Sequence, residues 1–328
     1  MNDKRLNIVS TENKSSKQSI SDSKSHWRKE AQAQFERMWL VNPEQFNPMR
    51  NCMERERIER TWMLANEFVQ LKDKLVADLA CGGGAMSKRL KDAGAIVHAL
   101  DIASNALKIL RENVPNIDQT YQQCLPHTTL EDDAYDLVFA DEVIAYLPTQ
   151  QLRLFMAELC RLVKPHGYTI CSTELDLDSL DPLQRFASLA ETEFKIHKWI
   201  FSHHRLYIRL KSFFSAPGCY ASAYKTADYR FQELQKRKGF SQKWLYWNSQ
   251  GILGIFWTIF QYLTNPIALL LKQNRQLLLF LEKICRFAWG DAGISHTIFI
   301  GCRRPLPPLD LPKDEIPVER KGKRQVWE

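Results

Sequence analysis

Between residues 74 and 173, short apolar runs alternate with segments whose apolar residues recur every three or four positions. Apolar runs of about four to eight residues are typical of buried strands, and the longer spacing is typical of amphipathic helices. Strands that alternate with helices favour a parallel sheet with helices on both faces. The predicted strands are Lys74–Ala80, Ile96–Leu100, Gln119–Cys124, Asp136–Ala140 and Tyr168–Thr173, and the predicted helices are Ala85–Ala93, Ser104–Asn113 and Gln150–Val163.

The segments on either side of this region extend the pattern. Helical spacing predicts a helix over Glu54–Leu71, before the first strand. On the other side, the pattern predicts a helix over Tyr229–Lys238 and a strand from Gly239-Phe240 to Trp247. His296–Cys302 is predicted to be the last strand, and the long connection at 248–295 to be an apolar helical insertion.

A glycine turn follows the first predicted strand and precedes the first predicted helix of the alternating region. Gly82, Gly83 and Gly84 stand where the chain leaves a buried strand, so backbone can approach a ligand there without a side chain in the way. The free N–H groups of the next helix would point at that ligand. A dinucleotide fingerprint needs a third glycine where Ser87 stands, so the turn does not fit that motif.

The run from Asp78 to Gly84 resembles motif I of the class I S-adenosylmethionine-dependent methyltransferases. It matches Asp-x-Gly-x-Gly-x-Gly at Asp78, Gly82 and Gly84, with Ala80 in the first glycine position. The fourth strand with its following loop, and the turn before the fifth strand, also resemble the family, so the resemblance covers residues 74 to 174. It implies a Rossmann-like, doubly wound, seven-stranded sheet that is mostly parallel with an antiparallel last strand.

The resemblance also implies which residues hold the cofactor, S-adenosylmethionine. Asp78 and the turn would hold its amino-acid end, and Asp101, at the end of the second strand, would accept from the ribose hydroxyls. Where the family often has an acid for the adenine amino group, this chain has Cys124 with Gln123 beside it, so either Gln123 or a backbone contact takes that role. The predicted cofactor residues are Asp78, Ala80, Cys81, Gly82, Gly83, Gly84, Asp101, Ile102, Gln123, Cys124 and Asp141.

Three residues are candidates for catalysis, although methyl transfer from a sulfonium needs little acid–base help. Glu142 and Tyr146 follow the fourth strand and, by analogy with the family, face the transferred methyl group; a half-buried loop tyrosine is the alternative for Tyr146. His203 could act as a general base because imidazole titrates near neutrality, with a surface histidine as the alternative. No metal site is predicted.

Two insertions are expected to select the acceptor. The first, 175–228, is aromatic and basic and is predicted either to form a lid over the site or to be a helix with Ile196, Ile200 and Leu206 in the core. The second contains the 28 residues from Trp244 to Leu271, which include no charged side chain. It is interpreted as two apolar helices that meet at Asn265-Pro266, with Leu277–Phe287 continuing the second. The alternatives are a buried cap, a helix that lies on a membrane surface and a membrane span.

Composition and charge narrow the setting. The tails, 1–30 and 305–328, are polar or proline-rich and are predicted to be disordered and flexible, which leaves a domain over 31–304. The net charge is +7, and none of the eight cysteines has Cys-x-x-Cys spacing, so a reducing, cytoplasmic location is expected, with peripheral contact with a membrane as an addition.

These observations predict a methyltransferase that acts by in-line displacement on a small acceptor, aromatic or lipid-like. An RNA or protein methyltransferase is the alternative enzyme, although nucleic acid is not the expected partner. A cofactor-binding protein that associates with a membrane is the alternative without enzymatic activity. The oligomeric state is left open.

Overall fold

A mixed sheet of seven strands forms the centre of the computed structural model, which describes residues 27–175, 181–235 and 237–304. The strands are β1 (Leu75–Leu79), β2 (Ile96–Asp101), β3 (Gln119–Gln122), β4 (Tyr135–Asp141), β5 (Val163–Glu174), β6 (Phe194–Ser202) and β7 (His296–Arg303). Their spatial order is β3-β2-β1-β4-β5-β7-β6. All pairs among the first five strands are parallel: β1 with β2, β1 with β4, β2 with β3, and β4 with β5. Strand β7 runs antiparallel to both β5 and β6, as the resemblance implied.

Helices cover both faces of the sheet, so two hydrophobic cores form. Phe155 and Leu159 pack with Phe299 on one face, and Leu64 and Leu90 pack with Ile298 on the other. The helices are α1 (27–41), α2 (Cys52–Phe68), α3 (Ala85–Asp92), α4 (Ser104–Asn113), α5 (Leu152–Leu162), α6 (Pro182–Ala190), α7 (Arg205–Lys225), α8 (Ala227–Gln235), α9 (Phe240–Asn248), α10 (Gly251–Gln273) and α11 (Arg275–Trp289).

The predicted strand over Phe240–Trp247 is wrong, and the sixth strand lies in the predicted lid instead. Phe240–Asn248 is helix α9, which buries Leu245 and leaves its aromatic neighbours exposed. Phe194–Ser202 is β6, an edge strand whose register shifts between Ile196 and Lys198. Ile196 and Ile200 are four residues apart, a spacing that also fits a helix, but the shift places them on opposite faces of the sheet, where they pack against different cores.

The apolar insertion is also divided differently from the prediction. Helix α10 continues through Pro266, and the chain breaks at Asn274 instead. A proline has no backbone N–H, so one hydrogen bond of the helix is missing at Pro266, but α10 continues past it. Asn274 caps α11, because its side chain accepts from the backbone N–H of Leu277 at 2.9 Å.

The tails fall almost wholly outside the described residues. Of the predicted disordered tail 1–30, residues 27–30 belong to α1, and 1–26 lie outside the described residues. The predicted flexible tail 305–328 and part of the predicted lid, 176–180, also lie outside them.

Candidate functional site

The glycine turn leaves the carboxyl end of β1 and leads into α3. Gly82 and Gly84 have φ of +51° and +84°, a region that suits glycine, and Ala80 also lies in it with φ of +57°. The turn is closely packed: a Cβ on Gly82 would lie 2.9 Å from the Trp39 ring, and one on Gly84 would lie 2.9 Å from Leu110. Only glycine fits these two positions without displacing a neighbour.

Asp78 lies beneath this turn and is 4% exposed. The Ser87 hydroxyl of α3 donates to its carboxylate. Burial raises the pKa of Asp78 to about 7, and the nearby carboxylates of Asp141 and Asp101 add to the rise. Among the described residues, Ser87 is the side chain that bonds to Asp78, and no basic side chain forms an ion pair with it. A cationic ligand group such as an ammonium would therefore stabilise the ionised form.

Asp101, at the end of β2, holds the turn from the other side. Its carboxylate accepts from the backbone N–H of Gly82 and of Ala103, each at 2.9 Å. Burial raises the pKa of Asp101, and these two amide bonds oppose the rise. Each carboxylate oxygen can accept more than one hydrogen bond, so a ribose contact remains compatible with this geometry and stays a prediction.

The remaining predicted cofactor residues divide between the turn and the β3 edge. Burial raises the pKa of the Cys81 thiol well above its usual value, so this cysteine is not an activated nucleophile. Gln123 bonds to Thr129 through both amide atoms, at 2.6 and 2.8 Å. The Cys124 thiol donates to the Leu125 carbonyl at 3.3 Å, so these two side chains are engaged in their own loop.

Helix α1 covers the turn, a role that no sequence motif indicated. Trp39 is buried against the glycines, stacks on Phe46 and packs beside Ile102. Glu36 accepts from the N–H groups of Ser104 and Asn105 at 2.6 and 3.0 Å, at the start of α4. Burial opposes ionisation of Glu36, but these amide bonds outweigh it and lower its pKa. The signal in the sequence that could have indicated this role is the pair of aromatic residues Phe35 and Trp39, which follow the polar tail.

Arg57 of α2 gathers the acids that follow β4, and no sequence motif identified it. Its guanidinium lies 3.2 Å from Asp141, 3.7 Å from Glu142 and 3.2 Å from Glu54. These carboxylates keep the pKa of Arg57 above its usual value although burial lowers it. Burial raises the pKa of Asp141, and the Arg57 charge opposes the rise. Asp141 therefore contacts α2, and its predicted cofactor role stays a prediction.

Glu142 is fixed to the end of β5. Its carboxylate accepts from the Ser172 hydroxyl and from the Glu174 backbone N–H, each at 3.1 Å. Burial raises the pKa of Glu142 to about 7, although Arg57 opposes the rise. A carboxylate with this pKa can both take up and release a proton near neutrality.

Tyr146 lies beside this group, in the turn Ile144–Tyr146. It is half-exposed and meets the Phe35 ring edge-on, with centroids 5.1 Å apart. Burial raises the pKa of Tyr146, and the Glu142 charge adds to the rise. The structure thus brings Glu142 and Tyr146 together, next to α1 and the glycine turn.

His203 lies apart from them, where β6 ends. Because β5 and β7 separate β6 from β4, His203 leaves the sheet three strands away from Glu142, roughly 14 Å. It lines a cavity of about 550 Å³ with Arg60, Phe280 and Arg286. Burial lowers the pKa of His203.

His296, which no motif indicated, lies closer to the acids. It pairs with Glu174 of β5 in the sheet. Its ring lies 3.0 Å from the Ser295 hydroxyl, and burial lowers its pKa to about 3. His296 is therefore neutral at physiological pH.

In the part of the chain that the structure describes, no group of three or more His, Cys, Asp or Glu residues forms a metal site. One helix of that part, Gly251–Gln273, is long and apolar enough to cross a membrane by length and composition alone.

Known proteins resemble the region around this site. Residues 77–171 match the sequence model of a methyltransferase domain. A ubiquinone biosynthesis O-methyltransferase of Shewanella sp. (strain ANA-3) is 30% identical over 151 residues, which are 43% of this chain and 60% of the relative. One of Haemophilus ducreyi (strain 35000HP / ATCC 700724) is 32% identical over 109 residues, 30% of this chain and 45% of the relative. The chain thus spans about half the length of these curated relatives.

A solved structure gives a more distant likeness. The N-methyltransferase NodS of Bradyrhizobium japonicum WM9, in complex with S-adenosyl-L-homocysteine, is 16% identical with a TM-score of 0.44. The likeness covers 52% of this chain and 89% of NodS.

Proposed function

We propose that this protein is a class I S-adenosylmethionine-dependent methyltransferase that methylates a small aromatic or lipid-like acceptor, and the match of residues 77–171 to a methyltransferase domain supports this. The observation that carries the proposal is the glycine turn, which is packed so closely that Gly82 and Gly84 admit no side chain, directly above the buried acid Asp78. The names of the curated relatives favour an oxygen atom as the acceptor.

S-adenosylmethionine carries its positive charge on a sulfonium and an ammonium, which suits this part of the molecule. The Asp78 carboxylate would receive the ammonium, since burial without a basic partner leaves its charge uncompensated. Asp101 would receive the ribose hydroxyls while it continues to hold the Gly82 amide. Trp39, which closes the turn, would help to exclude water from the donor.

Glu142 would act on the acceptor. Bound S-adenosylmethionine would supply an electrophilic methyl group to the acceptor oxygen, with S-adenosylhomocysteine as the leaving group that keeps the sulfur electron pair. The Glu142 carboxylate, which Ser172 and the Glu174 amide hold in place, would take the hydroxyl proton. Tyr146 would position the acceptor, because it lies beside Glu142 and is half-exposed.

The test is transfer of a labelled methyl group. The purified protein would be incubated with methyl-labelled S-adenosylmethionine and a cell extract, and the extract divided into organic, nucleic-acid and protein fractions. We expect label in a small organic-soluble product, and loss of that label with Asp78→Ala. Asp92→Ala, which changes an exposed carboxylate on α3, is the matched control. Label confined to RNA or protein would overturn the acceptor class, and no transfer to any fraction would overturn the proposal.

A further inference from the structure

Helix α10 turns its apolar side chains away from the protein. Ile252 and Tyr262 are 85% and 71% exposed, and Ile255, Ile259, Leu263 and Leu270 are also exposed. Its buried residues are Gly254, Thr264 and Leu271. A helix at the surface of a protein in water shows the reverse arrangement, with the apolar stripe inside and polar residues outside. The medium that faces α10 is therefore not water alone.

Small and polar residues mediate the contact of α10 with the protein. Helix α10 packs against α7, and the two run antiparallel, since Leu271 of α10 contacts Tyr207 of α7 and Gly254 of α10 contacts Tyr224 of α7. A Cβ on Gly254 would overlap the Tyr224 ring, so this glycine permits the close approach. The Thr258 hydroxyl donates a hydrogen bond to the Gly254 carbonyl of its own helix. Leu271 and the half-buried Trp257 add apolar contacts on this inner face. Close approach through glycine on the inside, with large apolar residues outside, is typical of helices packed in a lipid environment.

The flanking helices expose further aromatic side chains. Phe240 and Trp247 of α9 are exposed, as are Phe280, Phe287 and Trp289 of α11, with Phe287 at 95%. Tryptophan and tyrosine are enriched where a protein meets the interface between lipid and water.

The exposed charged side chains of α9, α10 and α11 are all positive. Between Phe240 and Trp289 the only acid is Glu282, which is paired with Arg60 of α2 at 2.9 Å. The cations of the same region are Lys243, Lys272, Arg275, Lys283 and Arg286, and all five are exposed. A second copy of this chain would bring these cations against one another across a two-fold axis. An anionic lipid surface would complement them.

We propose that α9, α10 and α11 dock on an anionic lipid bilayer and that the apolar side chains of α10 enter one leaflet. The helix lies on the membrane surface and does not span it, because α7 packs along its length and brings Arg209 and Lys211 with it. Cations flanking the apolar face would meet the lipid headgroups.

The docking surface adjoins the candidate site. The Leu271 carbonyl, near the end of α10, accepts from the Tyr207 hydroxyl at 3.1 Å and from the Cys52 thiol at 3.3 Å. Cys52 begins α2, the helix that carries Arg57. An acceptor dissolved in the leaflet would therefore reach the site beside the same helix; this last step rests on the proposed function, whereas the docking does not.

Binding to preformed vesicles tests the docking without any methyl transfer. The full chain would be mixed with vesicles of phosphatidylcholine, with and without phosphatidylglycerol, and the bound fraction measured by flotation. We expect the protein to float with the anionic vesicles. Ile259→Glu/Leu263→Glu places two carboxylates on the exposed face of α10 and should weaken binding by about tenfold or more. Met63→Glu, at an exposed apolar position of α2, is the control and should bind as the unchanged protein does.

The variants also separate the possible outcomes. Lys283→Ser/Arg286→Ser should reduce binding to the anionic vesicles and make the remaining binding less sensitive to salt. Unchanged melting temperature and cofactor affinity in the α10 variant would show that it folds. The docking would be overturned if the unchanged protein floated with neither kind of vesicle. It would also be overturned if the α10 variant bound the vesicles as well as Met63→Glu does. A dimer that the α10 substitutions dissociate, without vesicle binding, would overturn it in favour of a second copy.

Discussion

Asp78 and Glu142 are two acids of one site whose pKa values both lie near 7 for the same reason. Burial removes solvent from each carboxylate, and neighbouring acids add to the effect. They differ in their partners, since Ser87 contacts Asp78 whereas Arg57 lies beside Glu142. The Asp78 carboxylate is therefore suited to bind a cationic ligand, and the Glu142 carboxylate is suited to accept a proton.

Asp78 should destabilise the protein above neutral pH. Because its pKa is raised in the folded state, the folded protein holds a proton that the unfolded chain releases between about pH 4 and 7, so stability falls as pH rises through this window. Asp78→Asn removes the buried charge, and we expect it to raise the free energy of unfolding by on the order of 1 kcal/mol at about pH 8. Denaturant titration across pH would measure this. A variant less stable than the original at every pH would contradict it.

Glu142 should set the pH dependence of methyl transfer to a hydroxyl. In the proposed mechanism this carboxylate is the base, so kcat should rise with pH through about 7 and level off above it. Glu142→Gln keeps the size of the side chain but cannot take the proton, and we expect kcat to fall by about a hundredfold with the pH dependence lost. Glu67→Gln, on the exposed side of α2, is the control. An unaltered pH profile in Glu142→Gln would remove Glu142 from the mechanism.

At the scale of elements, the sequence predicted the five strands from β1 to β5 and the helices between them closely. Ser104–Asn113 was predicted with the bounds that the structure shows, because Pro115 ends it in the sequence. Two errors concern β6 and α9. The spacing of Ile196 and Ile200 fits a helix as well as a strand, and the exposed aromatic residues of α9 resembled those of a strand. The break at Asn274 depends on a side-chain cap.

The site was predictable where it rests on one segment and was missed where it depends on distant ones. Asp78, Gly82 and Gly84 are neighbours in sequence, so their motif could be read. Arg57 and Trp39 reach the same site from α2 and α1, which precede the sheet. His203 was selected for its chemistry, but the crossing of β7 between β5 and β6 separates it from Glu142.

Helix α1 should contribute to cofactor binding through Trp39. Removing the ring by Trp39→Ala would uncover Gly82 and Gly83, and we expect cofactor affinity to fall by about tenfold and the free energy of unfolding by about 3 kcal/mol. Leu40→Ala, at the next and exposed position, should change neither. Calorimetric titration and denaturant unfolding of both variants would measure this. Equal affinities would exclude α1 from the cofactor site.

At the scale of the whole molecule, two ion pairs join α2 to α11 of the apolar insertion: Arg60 with Glu282, and Glu56 with Arg275. Arg60 of α2 contacts Glu282 of α11, and both side chains are mostly buried. Burial alone would raise the pKa of Glu282, but the nearby His204 ring and the hydrogen bonds from Arg60 outweigh it and lower the pKa. This contribution is present above the unfolded pKa and is lost as pH falls toward the folded one.

Breaking the pair of Arg60 and Glu282 should therefore be costly. Glu282→Ala leaves Arg60 with only the Glu56 carboxylate, which Arg275 shares, and the Ser202 hydroxyl, and we expect the free energy of unfolding to fall by about 2–3 kcal/mol. Glu67→Ala breaks an exposed pair with Lys198 and should cost less than about 1 kcal/mol. Denaturant unfolding near neutral pH would compare the two. Equal losses would show that α11 does not depend on Arg60.

Titration calorimetry of S-adenosylmethionine into the purified protein tests the central claim most directly. The unchanged protein should bind the cofactor saturably, and Gly82→Ala should abolish measurable binding, because its Cβ would meet Trp39 at a positive φ. Gly290→Ala has a similar positive φ of +52° but open space around it, so it should bind as the unchanged protein does. The claim would be contradicted by the absence of saturable binding to the unchanged protein, or by equal affinity in Gly82→Ala.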